Sequence, residues 1–398
     1  MRFVIKRYKG SYLAYVMAFG WLYFAMAVFS SVISVYLTDL GKSASEMSFI
    51  VSASGIFSFF MVPITGYMAD RTQNPKALSV VTLLLSGFMG LIFAQCRQVW
   101  ALFLLNGLIL SFINSLMPIS ERMAGRSAFR YGYLRVWGTV GYALGAQAAG
   151  FAMEYISPSF IFVMLFLSAI FAAVGFWGAE DCPSAPQDKG QEPSPQKDEP
   201  TKRPSLLKVL LNPSFLLFLL IACLFTGCSN VNMTYAPMLL NSLGVPTSTV
   251  GTVLFFSTLI EAPVILFSNK FMDRFSGKAL IIASFAIIIA QFLFYGFSRS
   301  AVVVILAMVL LKAIASTLFV MINLKIVRNL LDPRFTTTGL SVINSATNLS
   351  AILLQNAGGV LVDYTSIPAL YLALCGLTVL GLLLTLFLKV GNQERVFG

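Results

Sequence analysis

Twelve stretches of about 20 mostly apolar residues recur along this 398-residue chain, at roughly 12–37, 46–69, 77–95, 99–120, 134–153, 158–178, 213–237, 248–269, 279–297, 301–322, 336–360 and 367–389. A helix rising about 1.5 Å per residue needs that length to cross the hydrocarbon of a bilayer. The predicted fold class is therefore all-α: a polytopic membrane protein with 12 transmembrane helices. Composition agrees. Hydrophobic residues make up 58% of the chain and charged residues only 11%, against about 25% charged in a soluble domain. Too little charged surface remains to solvate a globule of this size, which excludes a soluble enzyme, a DNA-binding module and a disordered chain. The first apolar run is longer than the core of a secretory signal and has no clear cleavage site, so it reads as a retained span.

Most connections are short and carry turn residues, such as Asn74-Pro75 and Asp332-Pro333. The exception is 179–212, rich in Pro, Gln, Lys, Asp and Glu. It holds too little apolar surface to order itself and reads as a linker between six spans and six spans. The predicted domains are thus an N-terminal six-helix bundle (1–178), the linker (179–212) and a C-terminal six-helix bundle (213–398). Net charge is +11. With the N-terminus inside, 23 of the 27 Lys and Arg residues fall in inner segments, three in outer loops, and Lys312 inside a span. The positive-inside rule then places both termini and the linker in the cytoplasm, with the chain multi-pass in the cell (inner) membrane. Attraction to anionic lipid accounts for the basic balance without a nucleic-acid partner.

Histidine is absent, and the five cysteines include no C-x-x-C pair. Histidine-based metal ligation and proton relays are thereby removed, and neither a metal site nor a cofactor is expected.

The two halves match at an offset of 203 residues. Leu40-Gly41 aligns with Leu243-Gly244, Ser45 with Ser248, Ser54 with Ser257, and Asp70-Arg71 with Asp273-Arg274. Six spans per copy return the chain to the same side, so the copies are parallel and related by an axis along the membrane normal. Two such bundles enclose a cavity at their interface, and rocking one against the other exposes it to alternate sides. From duplication, transport follows.

Gly66-Tyr67-Met68-Ala69-Asp70-Arg71, with Lys76 close behind, resembles the G-x-x-x-D-R signature between spans 2 and 3 of the major facilitator superfamily. Gly66 would let a neighbouring helix approach. Asp70, Arg71 and, in the second copy, Asp273 and Arg274 would bond across a gate. The second copy departs from the pattern, with Asn269 where the first has Gly66. Gly132 to Tyr142, reading G-Y-L-R-V-W-G-T-V-G-Y, is similar to the branch that holds lactose permease, phenylpropionate permeases and nucleoside–proton symporters. The resemblance implies two six-helix bundles in pseudo-symmetric array and solute transport. It makes Arg135 a candidate substrate ligand, with a boundary arginine snorkelling to the headgroups as the equal alternative. The carboxylate expected opposite Arg135 falls at Met117. Glu121, one turn on, either substitutes for it, as a second proton-coupling candidate, or caps the helix. The family histidine falls at Lys312, which argues against a galactoside site of the lactose type.

Two ionisable residues lie well inside spans: Glu261 in span 8 and Lys312 in span 10. Each sits 11 or 12 residues from the outer face, about 17 Å deep at 1.5 Å per residue. An isolated charge there costs several kcal/mol, so each should face a cavity or a partner, and the matched depth suggests that they pair with each other. Glu261 is the candidate proton carrier. Glu261, Lys312 and Arg135, with Asn232 of span 7 and Trp21 of span 1, are the candidate substrate contacts. The expected partners are a small polar organic solute, a proton and the bilayer, with the carrier a monomer. The leading reading is a proton symporter working by alternating access, not an enzyme. An uncoupled facilitative or exchange carrier is the alternative, and a membrane sensor or membrane enzyme the alternative of another class. A reporter fused within 179–212 should be active only when the reporter type requires cytoplasmic exposure; activity of a periplasm-dependent reporter there would reverse the orientation.

Overall fold

The structure, a computed structural model, describes residues 8–72, 75–125, 127, 129, 131–179, 212–266, 275–330 and 336–388. Twelve helical rods fill them. In the first half these are α1 (Tyr12–Ser30, broken at Ser31-Val32 and resumed over Ile33–Asp39), α2 (Ala44–Thr72), α3 (Pro75–Phe93), α4 (Val99–Gly125), α5 (Tyr131–Tyr155) and α6 (Phe160–Gly178). The second half holds α7 (Pro213–Ser242), α8 (Thr247–Leu266), α9 (Gly277–Phe297), α10, α11 (Thr336–Tyr364) and α12 (Ile367–Phe387). Within α10, Ala301–Ala307 and Ala313–Leu330 are α-helical and Met308–Lys312 forms a π-helical turn. Most of the 179–212 linker lies outside the described residues.

Helix starts follow the sequence. Ser11, Ser276 and Ser366 accept the N–H of the residue three places on, and Asn212 caps α7 ahead of Pro213. The duplication is visible at helix ends too. After α1, the Lys42 N–H bonds to the Leu37 carbonyl and the Gly41 N–H to that of Thr38. After α7, Val245 bonds to Leu240 and Gly244 to Asn241, the same pairs 203 residues on. Both glycines are left-handed, at φ 74° and 81°. A helix stop of this type needs that conformation, which side chains with a Cβ resist.

Packing repeats as well. α1 lies against α5 and α6, α2 against α4, and α3 against α6; α7 lies against α11 and α12, α8 against α10, and α9 against α12. Between the halves, α5 packs on α8 and α2 on α11. Among the described residues, nine helices are long and apolar enough to cross a membrane by composition alone. Among the twelve, α5, α8 and α11 fall short of that standard, and all three stand where the halves meet.

Bonds between the halves gather at the face opposite Tyr8 and Gly178, here the far face; the other is the terminal face. Ser48 of α2 bonds to the Tyr235 hydroxyl at 2.6 Å, and Gln355 of α11 donates to Ser48 at 3.1 Å. Gln147 of α5 donates to Thr252 of α8 at 2.8 Å. Gly150 and Gly251 touch: a Cβ on Gly150 would fall 2.7 Å from the Thr247 carbonyl oxygen. Two carboxylates then cap helices of the opposite half. Asp363, at the end of α11, accepts the N–H groups of Ala44 and Ser45 at 2.7 and 3.0 Å, and Glu154, at the end of α5, accepts that of Thr247 at 2.9 Å. These are favourable partners for the positive ends of α2 and α8. Toward the terminal face α2 and α11 part around a groove of about 640 Å³ lined by Phe59, Phe60 and Leu349. The far mouth is shut and the terminal side open.

Slight burial acts to raise the Asp363 pKa, but bonds from the Ser45 hydroxyl and from the N–H groups of Ser45 and Ala44 outweigh it and hold the carboxyl below its usual range. A lowered pKa means that the clasp is fully present above the ordinary value of about 3.9 and is lost only as pH falls through the lowered one. Replacing both caps (Asp363→Ala with Glu154→Ala) should raise, at least five-fold, the rate at which a T258C thiol on the hollow wall reacts with an impermeant reagent added at the far face. With both caps intact the rate, divided by the thiolate fraction at each pH, should stay flat from pH 8 to pH 5. An unchanged rate in the double variant would show that the caps do not hold the mouth.

Candidate functional site

A hollow of about 540 Å³ lies between the halves, within the size range of small-molecule sites. α1 gives it Tyr23; α5 gives Arg135, Gly138, Thr139 and Tyr142; α7 gives Ser229, Asn230, Asn232 and Met233. From α8 come Thr258 and Glu261, from α9 Gln291, and from α10 Lys312, Ser316 and Thr317. Three ionisable groups and a ring of hydroxyls and amides therefore converge inside a bundle that is otherwise apolar.

Arg135 is held on three sides. Its guanidinium carbon sits 4.6 Å from the centre of the Tyr23 ring, a cation–π contact. Its Nε lies 3.8 Å from Glu121 Oε1. Gly138, one turn along α5, leaves room for it: a Cβ there would fall 2.9 Å from the guanidinium Nη1. Glu121, on α4, meets Arg135 but does not line the hollow. The carboxylate missing at Met117 is thus supplied one turn later. With half its side chain in solvent, this pair contributes about 1 kcal/mol or less; its consequence is orientation of the guanidinium.

Glu261 and Lys312 both face the hollow and each lies in the other's field, with Arg135 adding to that on Glu261. The expected direct pairing is not found: no ion pair joins them among the described residues. Both side chains line the hollow, so each charge is left to whatever fills it. Asn232 is buried on the wall, and its Oδ1 accepts from the Tyr371 hydroxyl at 3.2 Å. Its amide nitrogen remains for a ligand. Trp21 is a correction. It stacks on Phe171 of α6 at 4.7 Å and does not reach the hollow. Tyr23, two residues on and about 200° around the helix, takes the inward face instead.

Of the expected gate residues, Asp273 and Arg274 lie outside the described residues. Gly66, Asp70 and Arg71 lie in α2, with Arg71 exposed. The close helix approach expected at Gly66 is absent: nothing lies within 4 Å of where its Cβ would be. The halves are parted at this end, so no neighbour reaches it.

Sequence reasoning passed over Tyr142, Thr258, Gln291 and Ser316 on the wall. Tyr142 and Gln291 are lone polar residues in apolar surroundings and Thr258 and Ser316 belong to Ser-Thr pairs, and the helix phase that turns each inward follows only from packing. Ser229 carries the clearest mark of a binding site. Its Oγ is buried and finds no hydrogen-bond partner, a costly state unless a ligand or water completes it. Among the described residues no three acidic or thiol side chains cluster in a way that would hold a metal.

The comparisons agree with this architecture. The MFS_1 like family matches residues 12–373. The chain is 26% identical over 385 residues to the uncharacterized transporter YwbF of Bacillus subtilis (strain 168), covering 94% of each protein. It is 25% identical over 383 residues to the maltose permease of Geobacillus stearothermophilus, covering 95% of this chain and 94% of that one. A crystal structure of the nucleoside transporter NupG superposes with a TM-score of 0.77 at 15% identity, over 94% of this chain and 98% of that one. Twelve helices in two matching sets, a polar hollow between them and a family match over nearly the whole length lead to one conclusion: the chain belongs to the MFS_1 like family and is a multi-pass membrane transporter of the major facilitator superfamily.

Proposed function

We propose that this transporter is a proton symporter that carries a small polar organic solute through the hollow by alternating access, with its terminal face in the cytoplasm. One observation carries the reading. Glu261 and Lys312 both line the cavity, with no ion pair between them among the described residues. Fixed structural ion pairs in low dielectric bond directly, because separation forfeits the attraction that offsets desolvation. Charges held apart on a cavity wall are instead available to a solute and a proton.

The charges at the site balance, with Glu121 beside Arg135 and both Glu261 and Lys312 on the wall. Protonating Glu261 would remove the field that restrains Lys312 and free its ammonium to donate to a solute oxygen. Arg135, Asn232 and the unpartnered Ser229 hydroxyl would complete the ligand set. Solute and proton thereby favour the same loaded state, which is what coupling requires. The permease relatives support a solute rich in hydrogen-bonding oxygens. The two six-helix units act as the rocking bodies, and since all the wall residues come from one chain, a monomer suffices.

Uptake into cells should be followed with labelled maltose, 3-phenylpropionate and a nucleoside. For the one accumulated, a protonophore should reduce the internal-to-external ratio to about 1; accumulation that survives it would establish the uncoupled carrier instead. With the same solute, Glu261→Gln should abolish uphill uptake but leave counterflow within two-fold of the parent. Normal uphill uptake by this variant would remove Glu261 from the coupling step.

A further inference from the structure

Among the described residues the π turn at Met308–Lys312 is the one break from α-helix in α10, and it ends on a charged residue of the wall. Turns of this kind are rare and concentrate at functional sites. Here the turn meets a specific partner. Ser257 of α8, 1% exposed, donates its hydroxyl to the Met308 carbonyl at 3.2 Å. Glu261 lies four residues beyond Ser257 on one face of α8, and Lys312 lies four beyond Met308. The hydroxyl-to-carbonyl bond and the Glu261–Lys312 confrontation are thus successive rungs between the same two helices.

Three comparisons within the molecule single out this bond. Many serines in the spans turn back on their own helix, as Ser52, Ser86, Ser115, Ser168 and Ser284 do, bonding to a carbonyl three or four residues earlier; that is the usual habit of a helical serine. Ser257 crosses to a neighbour instead, as does Ser350 of α11, which bonds to the Cys223 carbonyl of α7. Its counterpart in the first half, Ser54, bonds to its own Val51 carbonyl at 2.9 Å. And α4, the counterpart of α10, runs as unbroken α-helix over Val99–Gly125. The crossing serine and the widened turn occur together in one half and are both missing from the other.

We propose that Ser257 is a positioning residue: its bond to the Met308 carbonyl holds the π turn, and the π turn places Lys312 on the wall of the hollow opposite Glu261. The π turn takes in one residue more than an α turn, so the positions beyond it are rotated by about 100° from an uninterrupted helix. Were it lost, Leu311 would take the place that Lys312 now holds. Lys312 would be driven toward the fully buried site of Ala313, where no cavity receives an ammonium. The role given to Lys312 rests on the carrier reading above; the geometry of the turn does not.

A thiol-labelling experiment keeps the two apart, because it needs no cargo. L311C, K312C and A313C are introduced singly into the full-length protein without its native cysteines, and an impermeant methanethiosulfonate is added at the terminal face. With Ser257 in place, position 312 should react at least ten-fold faster than 311 or 313. Adding Ser257→Ala should move the fast site to 311, and Ser257→Thr, which keeps a hydroxyl, should return it to 312. A pattern centred on 312 in the Ala variant would overturn the proposal, as would a Thr variant that behaves like Ala.

Discussion

A charged side chain halfway through a bilayer must meet water or an opposite charge, because the hydrocarbon offers neither. This fold is arranged around that constraint. Glu261, Lys312 and Arg135 come from three helices, and all three reach one hollow where the halves meet. The helices that are least able to stand in lipid on composition alone, α5, α8 and α11, are also those packed between the halves. Polarity and position are therefore two aspects of one requirement.

The second consequence is asymmetry between copies. At the 203-residue offset, the counterpart of Glu261 is Ser58, which accepts a bond from Asn114 of α4 at 3.1 Å. The first half thus closes its α2–α4 contact with a neutral bond, while the second keeps an unbonded pair of charges between α8 and α10. Glu261 and Lys312 both belong to the second unit, while the first contributes Arg135 with Glu121 beside it. The far-face clasps, in contrast, are kept in both halves, with Asp363 capping α2 and Glu154 capping α8. Duplication persists where closure needs it and lapses where chemistry does.

Much of this was legible in the residues. Span number and the approach of Glu261 and Lys312 to one hollow followed from hydropathy and depth, since length and charge are one-dimensional properties of the chain. Azimuth is not. Trp21 and Tyr23 look equivalent in an aromatic run, but only the second faces inward, and only packing reveals which. The expected bond between Glu261 and Lys312 failed for a related reason: equal depth fixes height in the membrane but not the direction in which each side chain points. The π turn was invisible because no single residue encodes it. It arises from a serine on one helix and a carbonyl on another.

The central claim is that two bodies exchange an opening at one face for an opening at the other. Distances between spin labels at the exposed residues Tyr155 and Tyr364, at the far face, and at Tyr67 and Phe275, at the terminal face, test it most directly. Each pair should show two populations, with the long far-face distance growing as the long terminal-face distance declines when a transported solute and a proton gradient are supplied. One fixed distance for both pairs under every condition would contradict alternating access.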